Sequence, residues 1–440
     1  MSLKNDPIGT FTQAKALMAR AIESYKPSVA VVRHEFRIIP IDQIRWLSAQ
    51  RADIKVYGAN QEETASIAGV GQALMVRGKG VVNYKNTFKK LRQALDPHYP
   101  YLQWYGGFGF DPRKTDLAWK RFDSSVFVIP RFELARDKDR MIFCCNLVGR
   151  IDKTHFLRQL NDLKAGQEVK PISLNVHNRR DLPDAVAWSR GVNTILKDIR
   201  QGKTIKVVLA RKTDFDLKHI ADPWLILHNL KKVTPNSYHF AFEFKGRVFL
   251  GASPERLYKR FGRMLWSEAL AGTKPASVKP EVLLHSPKDL DEHQIVVNAI
   301  EQALKPLSIT VRFDSSPVIK KLSNGIHLHT PIQAKLKDGV GDEDILRSLH
   351  PTPALGGQPT ARALSLIRRL EKFGRGWYGA PVGYVGLDWA EFVVGIRSGL
   401  LYKKKLSVFA GAGIVKGSDP SDEWDEIENK ISNFFRIIKQ

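Results

Sequence analysis

The chain has 440 residues, 43% of them hydrophobic and 26% charged, with 69 basic against 45 acidic residues and a net charge of +24. That composition fits a globular chain able to bury a sizeable core, and no apolar run approaches the ~18 residues a membrane helix needs, so no membrane partner is expected. The basic residues are scattered, the densest runs being Lys403-Lys404-Lys405 and Lys89-Lys90, with no basic helix interleaved with aromatics, so a solvated basic surface is expected in place of a nucleic-acid partner.

The N-terminal stretch MSLKNDPIGTFTQAKALMARAIESYK has no apolar segment leading to a small-residue cleavage site, so no secretory signal is expected. Residues 8–26 pattern as an amphipathic helix. Residues 1–35 read as an N-terminal helical segment, followed by one catalytic domain over 36–440 whose motif-bearing core spans 186–440. The runs HEFRIIPI, GKGVVNY, QWYGGFGF and SSVFVIPRFEL read as strands separated by turns. Cys144 and Cys145 sit within RMIFCCNLVG. Neighbouring cysteines rarely bridge, so two thiols in a strand core and a reducing cytoplasmic compartment are expected.

Residues 185–200 read as a helix. KVVLARKTDF, SYHFAFEF and RVFLGAS then read as strands, EHQIVVNAIEQAL as a helix, GYVGL, FVVGIRSGLLY and LSVFAGAGIV as strands, and DEWDEIENKISNFFRII as a closing helix. The strands alternate in side-chain character, as antiparallel strands do. No GxGxxG or GxxxxGK[ST] occurs. The expected fold is α+β: a single large domain of mainly antiparallel sheet flanked by helices.

Two segments of this basic chain concentrate carboxylates. Asp289 and Glu292 in KDLDEHQIVV are three apart and share a helical face, with Ile295, Val296 and Ala299 as the expected apolar contacts. Glu423, Glu426 and Lys430 form one stripe of the last helix, whose buried side is expected to be Ile427, Ile431, Phe434 and Phe435. Both faces could be plainly solvated, or they could meet and hold a hard cation such as Mg2+, which takes one or two carboxylates with water and substrate oxygens. Lys206 shares a strand face with Val208 and Ala210. It reads either as a lysine that snorkels to water or as a buried one usable as a base, since burial lowers a lysine's pKa. Glu255 follows Gly-Ala-Ser-Pro, which would put it on a loop at the sheet edge. It is either a surface partner of Arg256 or a general acid with raised pKa. The turns Ala271-Gly272-Thr273 and Ala410 to Gly413 let backbone N–H groups approach an anion.

The succession KVVLAR, FLGASPERL, ALAGTKP, KDLDEH, HLHTPI, LHPTPALGG, RGWYGAPVGY, GIRSGL, FAGAGIVKGSDPSDEWDEIENK resembles the chorismate-utilising enzymes, which include anthranilate, aminodeoxychorismate, isochorismate and salicylate synthases. The resemblance implies two packed antiparallel sheets with the active site in a cleft. It also implies Glu292 and Glu426 as direct magnesium ligands, and Asp289 and Glu423 as an outer pair acting through water. Asp289 stands where many relatives carry glutamate. Arg397, Gly411, Gly413 and Lys430 are implied to grip the substrate carboxylates, and Gly272, Thr273 and His327 to line the pocket. Amine-adding relatives carry glutamine at the position of Lys206, so Lys206 implies water as nucleophile. Ala271 stands where aminodeoxychorismate synthase has a nucleophilic lysine.

LHPTPALGG resembles the isochorismate and salicylate branch, and EWDEIENK, with Ile427, the menaquinone-pathway isochorismate synthases. The resemblance thus implies a magnesium-dependent isomerisation of chorismate, with Lys206 as base and Glu255 as acid, and without a glutaminase subunit. With no assembly motif in the chain, a monomer is expected. A salicylate synthase, which goes on to eliminate pyruvate, is the near alternative, and a basic nucleic-acid-binding protein the distant one.

Overall fold

A computed structural model describes residues 9–438 apart from 112, 114, 115, 167–173, 276, 323 and 324. Alternation in the strand-like runs translates into pairing: the described strands form one sheet of twelve and one of ten, and all their mutual pairings are antiparallel. At one end of the larger sheet Lys405–Ile414 lies between Ser398–Tyr402 and Lys206–Leu217. In the smaller sheet Met264–Lys274 lies between Gly325–Leu336 and Arg256–Phe261, which pairs in turn with Trp389–Val394. Between the sheets sits an aromatic core. Trp377 packs edge-on against Phe122, Phe242, Phe244 and Phe249 with ring centroids 5.0–6.5 Å apart, an arrangement that adds about 0.5–1.5 kcal/mol per aromatic pair beyond the area buried.

Helices cover the outer faces. Phe11–Ser24 starts from a capping box, Thr10 with Gln13, and buries Phe11, Ala14, Met18 and Ile22 in the core beneath the larger sheet. Ala185–Arg200 is capped by Asp184 and lies beside the last helix, Pro420–Ile438, with the Trp188 indole donating to the Pro420 carbonyl at 3.0 Å. Pro287–Leu304 is capped by Ser286, with proline at its first turn, and packs on strand Met264–Lys274 of the other sheet. Cys144 and Cys145 are free, buried thiols in strand Arg140–Gly149.

Several sequence readings shift by a local cause. GKGVVNY is not a strand. The strand Leu74–Gly78 ends at its first glycine, Gly80 turns with φ +70°, and Asn83 caps the helix that begins at Tyr84. SSVFVIPRFEL divides into Ser125–Ile129 of one sheet and Phe132–Asp137 of the other, split by Pro130, which has no N–H for a ladder. In Pro287–Leu304 the buried side is Val296, Val297, Ile300 and Leu304, while Ile295 and Ala299 are half-buried. In the last helix Ile427, Ile431 and Phe434 are buried, whereas Phe435 is only partly so.

Candidate active site

Glu255 is not at a sheet edge. Strand Arg247–Ser253 belongs to the larger sheet and Arg256–Phe261 to the smaller, so Pro254 and Glu255 form the crossover between them. Arg397 occupies the neighbouring crossover, from Trp389–Val394 to Ser398–Tyr402. The two crossovers run side by side: the Val394 N–H donates to the Glu255 carbonyl at 3.1 Å and the Ala252 N–H to the Arg397 carbonyl at 3.1 Å. Leaving one sheet for the other breaks the alternation of side chains, and Arg397 takes the left-handed φ of +50°. Both side chains thereby line one cavity of about 650 Å³.

The same cavity is lined by all the residues singled out from the sequence: Lys206, Glu255, Gly272, Thr273, Asp289, Glu292, His327, Arg397, Gly411, Gly413, Glu423, Glu426 and Lys430. Lys206 does not snorkel. It is 1% exposed, and its Nζ donates to Glu292 Oε1 at 2.7 Å. Glu255 is 5% exposed. Its carboxyl is pushed up to about 8 by burial and by the Glu268 charge, against the pull of Lys320, Lys206 and Lys430. Arg256 is not its partner, for that guanidinium reaches Glu391 and the Tyr238 hydroxyl.

The two acidic helices meet although they pack on different sheets. Lys288 of one lies 3.5 Å from Glu423 of the other. Burial, together with the nearby charges of Glu426 and Glu292, raises the Glu423 carboxyl to about 7. Burial also raises the Glu426 carboxyl, but Lys430, Arg397 and Lys288 outweigh it and hold the group below the usual range. Each acidic side chain has a lysine: Glu292 with Lys206, Glu426 with Lys430 at 2.5 Å, Glu423 with Lys288, and Asp289 with Lys274 at 3.1 Å. Lys274 and Lys288 carried no role in the sequence reading, although they lie within the quoted motifs ALAGTKP and KDLDEH. Among the described residues no three His, Cys, Asp or Glu side chains converge as a full metal shell, and magnesium asks for fewer.

Burial lowers the Arg397 guanidinium to about 10, and its Nη1 donates to the Lys430 carbonyl at 3.4 Å. Burial holds His327 neutral, well below the usual imidazole range. Its Nδ1 shares a hydrogen with the Thr273 hydroxyl at 2.9 Å, and its buried Nε2 has no protein partner. Gly272 bulges with φ +74° against Asp289, a conformation that favours glycine. Arg375, also unassigned from the sequence, buttresses the Lys206 strand through a 2.8 Å bond to the Val208 carbonyl.

Gly413 pairs with Val208 and gives the Lys206–Glu292 pair its room: a Cβ there would lie 2.8 Å from Glu292 Oε1 and 2.8 Å from Lys206 Cε. Both neighbours are ends of flexible side chains. Gly413→Ala should therefore fold with a melting midpoint close to that of the parent while displacing both groups, and kcat should fall about tenfold or more. Unchanged turnover in steady-state assays would mean that the pair need not stand where it does.

Comparison with known proteins places these features in context. Residues 16–439 match the model of a family described as chorismate binding enzyme. Isochorismate synthase MenF of Haemophilus influenzae is 30% identical over 455 aligned positions, covering 100% of both chains. MenF of Bacillus subtilis is 35% identical over 343, covering 74% of this chain and 72% of that protein. The solved structure of MenF, the menaquinone-specific isochorismate synthase from Escherichia coli, superposes with a TM-score of 0.86 at 27% identity, covering 97% of this chain and 99% of that one.

Proposed function

The chain belongs to the chorismate binding enzyme family, and from that premise we propose that it is an isochorismate synthase, adding water at ring carbon 2 of chorismate and expelling the hydroxyl at carbon 4. One observation carries the reading: a buried amine, Lys206, and a carboxyl kept protonated at neutral pH, Glu255, line the same cavity. Lys206 takes a proton from water, whose oxygen bonds to carbon 2. The ring double bonds shift, the carbon 4–oxygen bond breaks, and Glu255 gives its proton to the departing hydroxyl. One water enters and one leaves. Lys206 ends protonated and Glu255 ionised, and proton exchange resets them. Arg397, Lys430 and the backbone at Gly411 and Gly413 hold the substrate carboxylates, beside Gly272, Thr273 and His327.

The donor set fits a magnesium ion. Four carboxylates already face four lysines, so a substrate bringing two further negative charges calls for added positive charge beyond Arg397. Glu292 and Glu426 would hold the ion directly, and Asp289 and Glu423 through water. Asp289 is drawn to Ser286 at 2.5 Å and to Lys274, in keeping with an outer role for the shorter side chain. When bound, such an ion neutralises carboxylate charge and withdraws electrons from the ring.

Chromatography of the products formed from chorismate with magnesium tests the reading. Isochorismate should accumulate, EDTA should stop its formation, and added magnesium should restore it. Exchanging one hydroxyl for another is near balance, so the enzyme should also run from isochorismate back to chorismate. Salicylate with equimolar pyruvate would replace this reading with a salicylate synthase. We further assign the enzyme to the menaquinone route, as a cytoplasmic monomer that needs no glutaminase because its nucleophile is water. No described helix is long and apolar enough to cross a membrane.

A further inference from the structure

Behind Glu255, away from the substrate cavity, lies an ion cluster that the reaction above does not use. Glu268, 8% exposed on strand Met264–Lys274, accepts the backbone N–H of Arg256 on Oε1 at 2.7 Å. Its Oε2 accepts from Lys320 Nζ at 3.1 Å and lies 2.7 Å from His329 Nε2. Lys320 Nζ also reaches the Pro254 carbonyl at 3.4 Å. The residues immediately before and after Glu255 are thus tied to one ion pair. Glu268, Lys320 and His329 line a separate cavity of about 650 Å³ and are absent from the lining of the substrate cavity.

We propose that Glu268, with Lys320, is a positioning residue for the general acid: it clamps the backbone on both sides of Glu255 and presents a fixed negative charge to its carboxyl. The inference rests on the reading of Glu255 as the acid. Without the clamp, the crossover would be held by Gln61 Nε2, which donates to the Pro254 carbonyl at 3.1 Å, by Ser253 Oγ, 3.3 Å from the Glu255 N–H, and by the Val394 N–H on the Glu255 carbonyl. None of these ties takes the Arg256 N–H, which Glu268 accepts. The charges facing Glu255 are Glu268 from one strand, Lys320 from another, Lys206 from the larger sheet and Lys430 from the last helix. Burial works against ionisation of Glu268, but His329 and Lys320 outweigh it and bring the group to about 2, so it stays anionic. Two carboxyls whose surroundings push them apart in this way are suited to one holding a proton while the other does not.

Infrared titration of the protonated-carboxyl stretch tests this, the Glu255 band being identified as the one lost in Glu255→Gln. In the parent its midpoint should fall near 8. In Glu268→Gln it should move to lower pH, because a negative neighbour has gone, and kcat should fall about tenfold or more with KM held within about threefold. In Lys320→Met the midpoint should move to higher pH. Loosened packing alone has no reason to move the two variants in opposite directions. An unmoved midpoint in both would overturn the proposal. Should Glu268→Gln fail to fold, Lys320→Met decides alone, an alkaline shift supporting the clamp and no shift refuting it. Activity surviving in Glu255→Gln, with the opposite shifts intact, would sink the acid assignment and leave the electrostatic coupling standing.

Discussion

Glu255→Gln is expected to abolish isochorismate formation, lowering kcat by ~10²-fold or more while chorismate still binds. The amide fills the same volume but has no proton to give a departing hydroxyl. Fit alone would leave such a swap nearly silent, so the size of the loss measures the proton. The same variant makes a stability prediction of definite sign. Burial raises the Glu255 carboxyl from an ordinary 4.5 to about 8. Between those values the folded chain keeps a proton that the unfolded chain has released. Stability from this source is complete below the lower value, falls as pH rises, and is gone above about 8. Glutamine mimics the protonated form at every pH. The variant should therefore melt above the parent in alkaline buffer and level with it in acid, while being inactive in both. An inactive protein that gains stability on the alkaline side has lost chemistry and kept its fold. Preserved turnover would end the case for Glu255 as acid.

How far the sequence reached depends on the range of the interaction concerned. Local signals were legible: residues 185–200 form a helix and alternation in KVVLARKTDF makes a strand, whereas the helix read from EHQIVVNAIEQAL begins earlier, at Pro287, capped by Ser286. The motif order, by resemblance, brought Lys206, Glu255, Glu292 and Glu426 to one cavity. Pairings across the chain were not legible, since no local pattern records that Lys206 faces Glu292, 86 residues away, or that Lys320 ties Pro254 and Glu268 together. Glu255 was misplaced at a sheet edge because Gly-Ala-Ser-Pro marks the end of a strand equally well whether the chain turns back or crosses to a second sheet. GKGVVNY was misread because Val81 and Val82 favour strands, whereas Gly80 and Asn83 decide the backbone there. Glu268 directly precedes a quoted motif, and its role emerges only once His329 and Lys320 are brought alongside.

For Lys206 the informative experiment is a pair of substitutions. Its amine is buried and hydrogen-bonded to Glu292, so two roles coincide in one group: removing a proton from water, and offsetting the charge of a carboxylate assigned to the metal. Lys206→Gln removes both and should lower kcat by ~10²-fold or more. Lys206→Arg separates them. Arginine keeps a cation beside Glu292 but stays protonated at any working pH and cannot serve as base. If proton removal is the role, arginine should be as inactive as glutamine, with magnesium binding, followed by calorimetry without substrate, kept nearer the parent in the arginine variant. If charge balance is the whole role, arginine should restore most of the rate, and the base must be sought elsewhere on the cavity wall. His327 is a neutral group on that cavity wall, with a buried Nε2 that has no protein partner, and it lies against Thr273 on the wall formed by the smaller sheet. A rate restored by arginine would therefore move the attacking water to that wall.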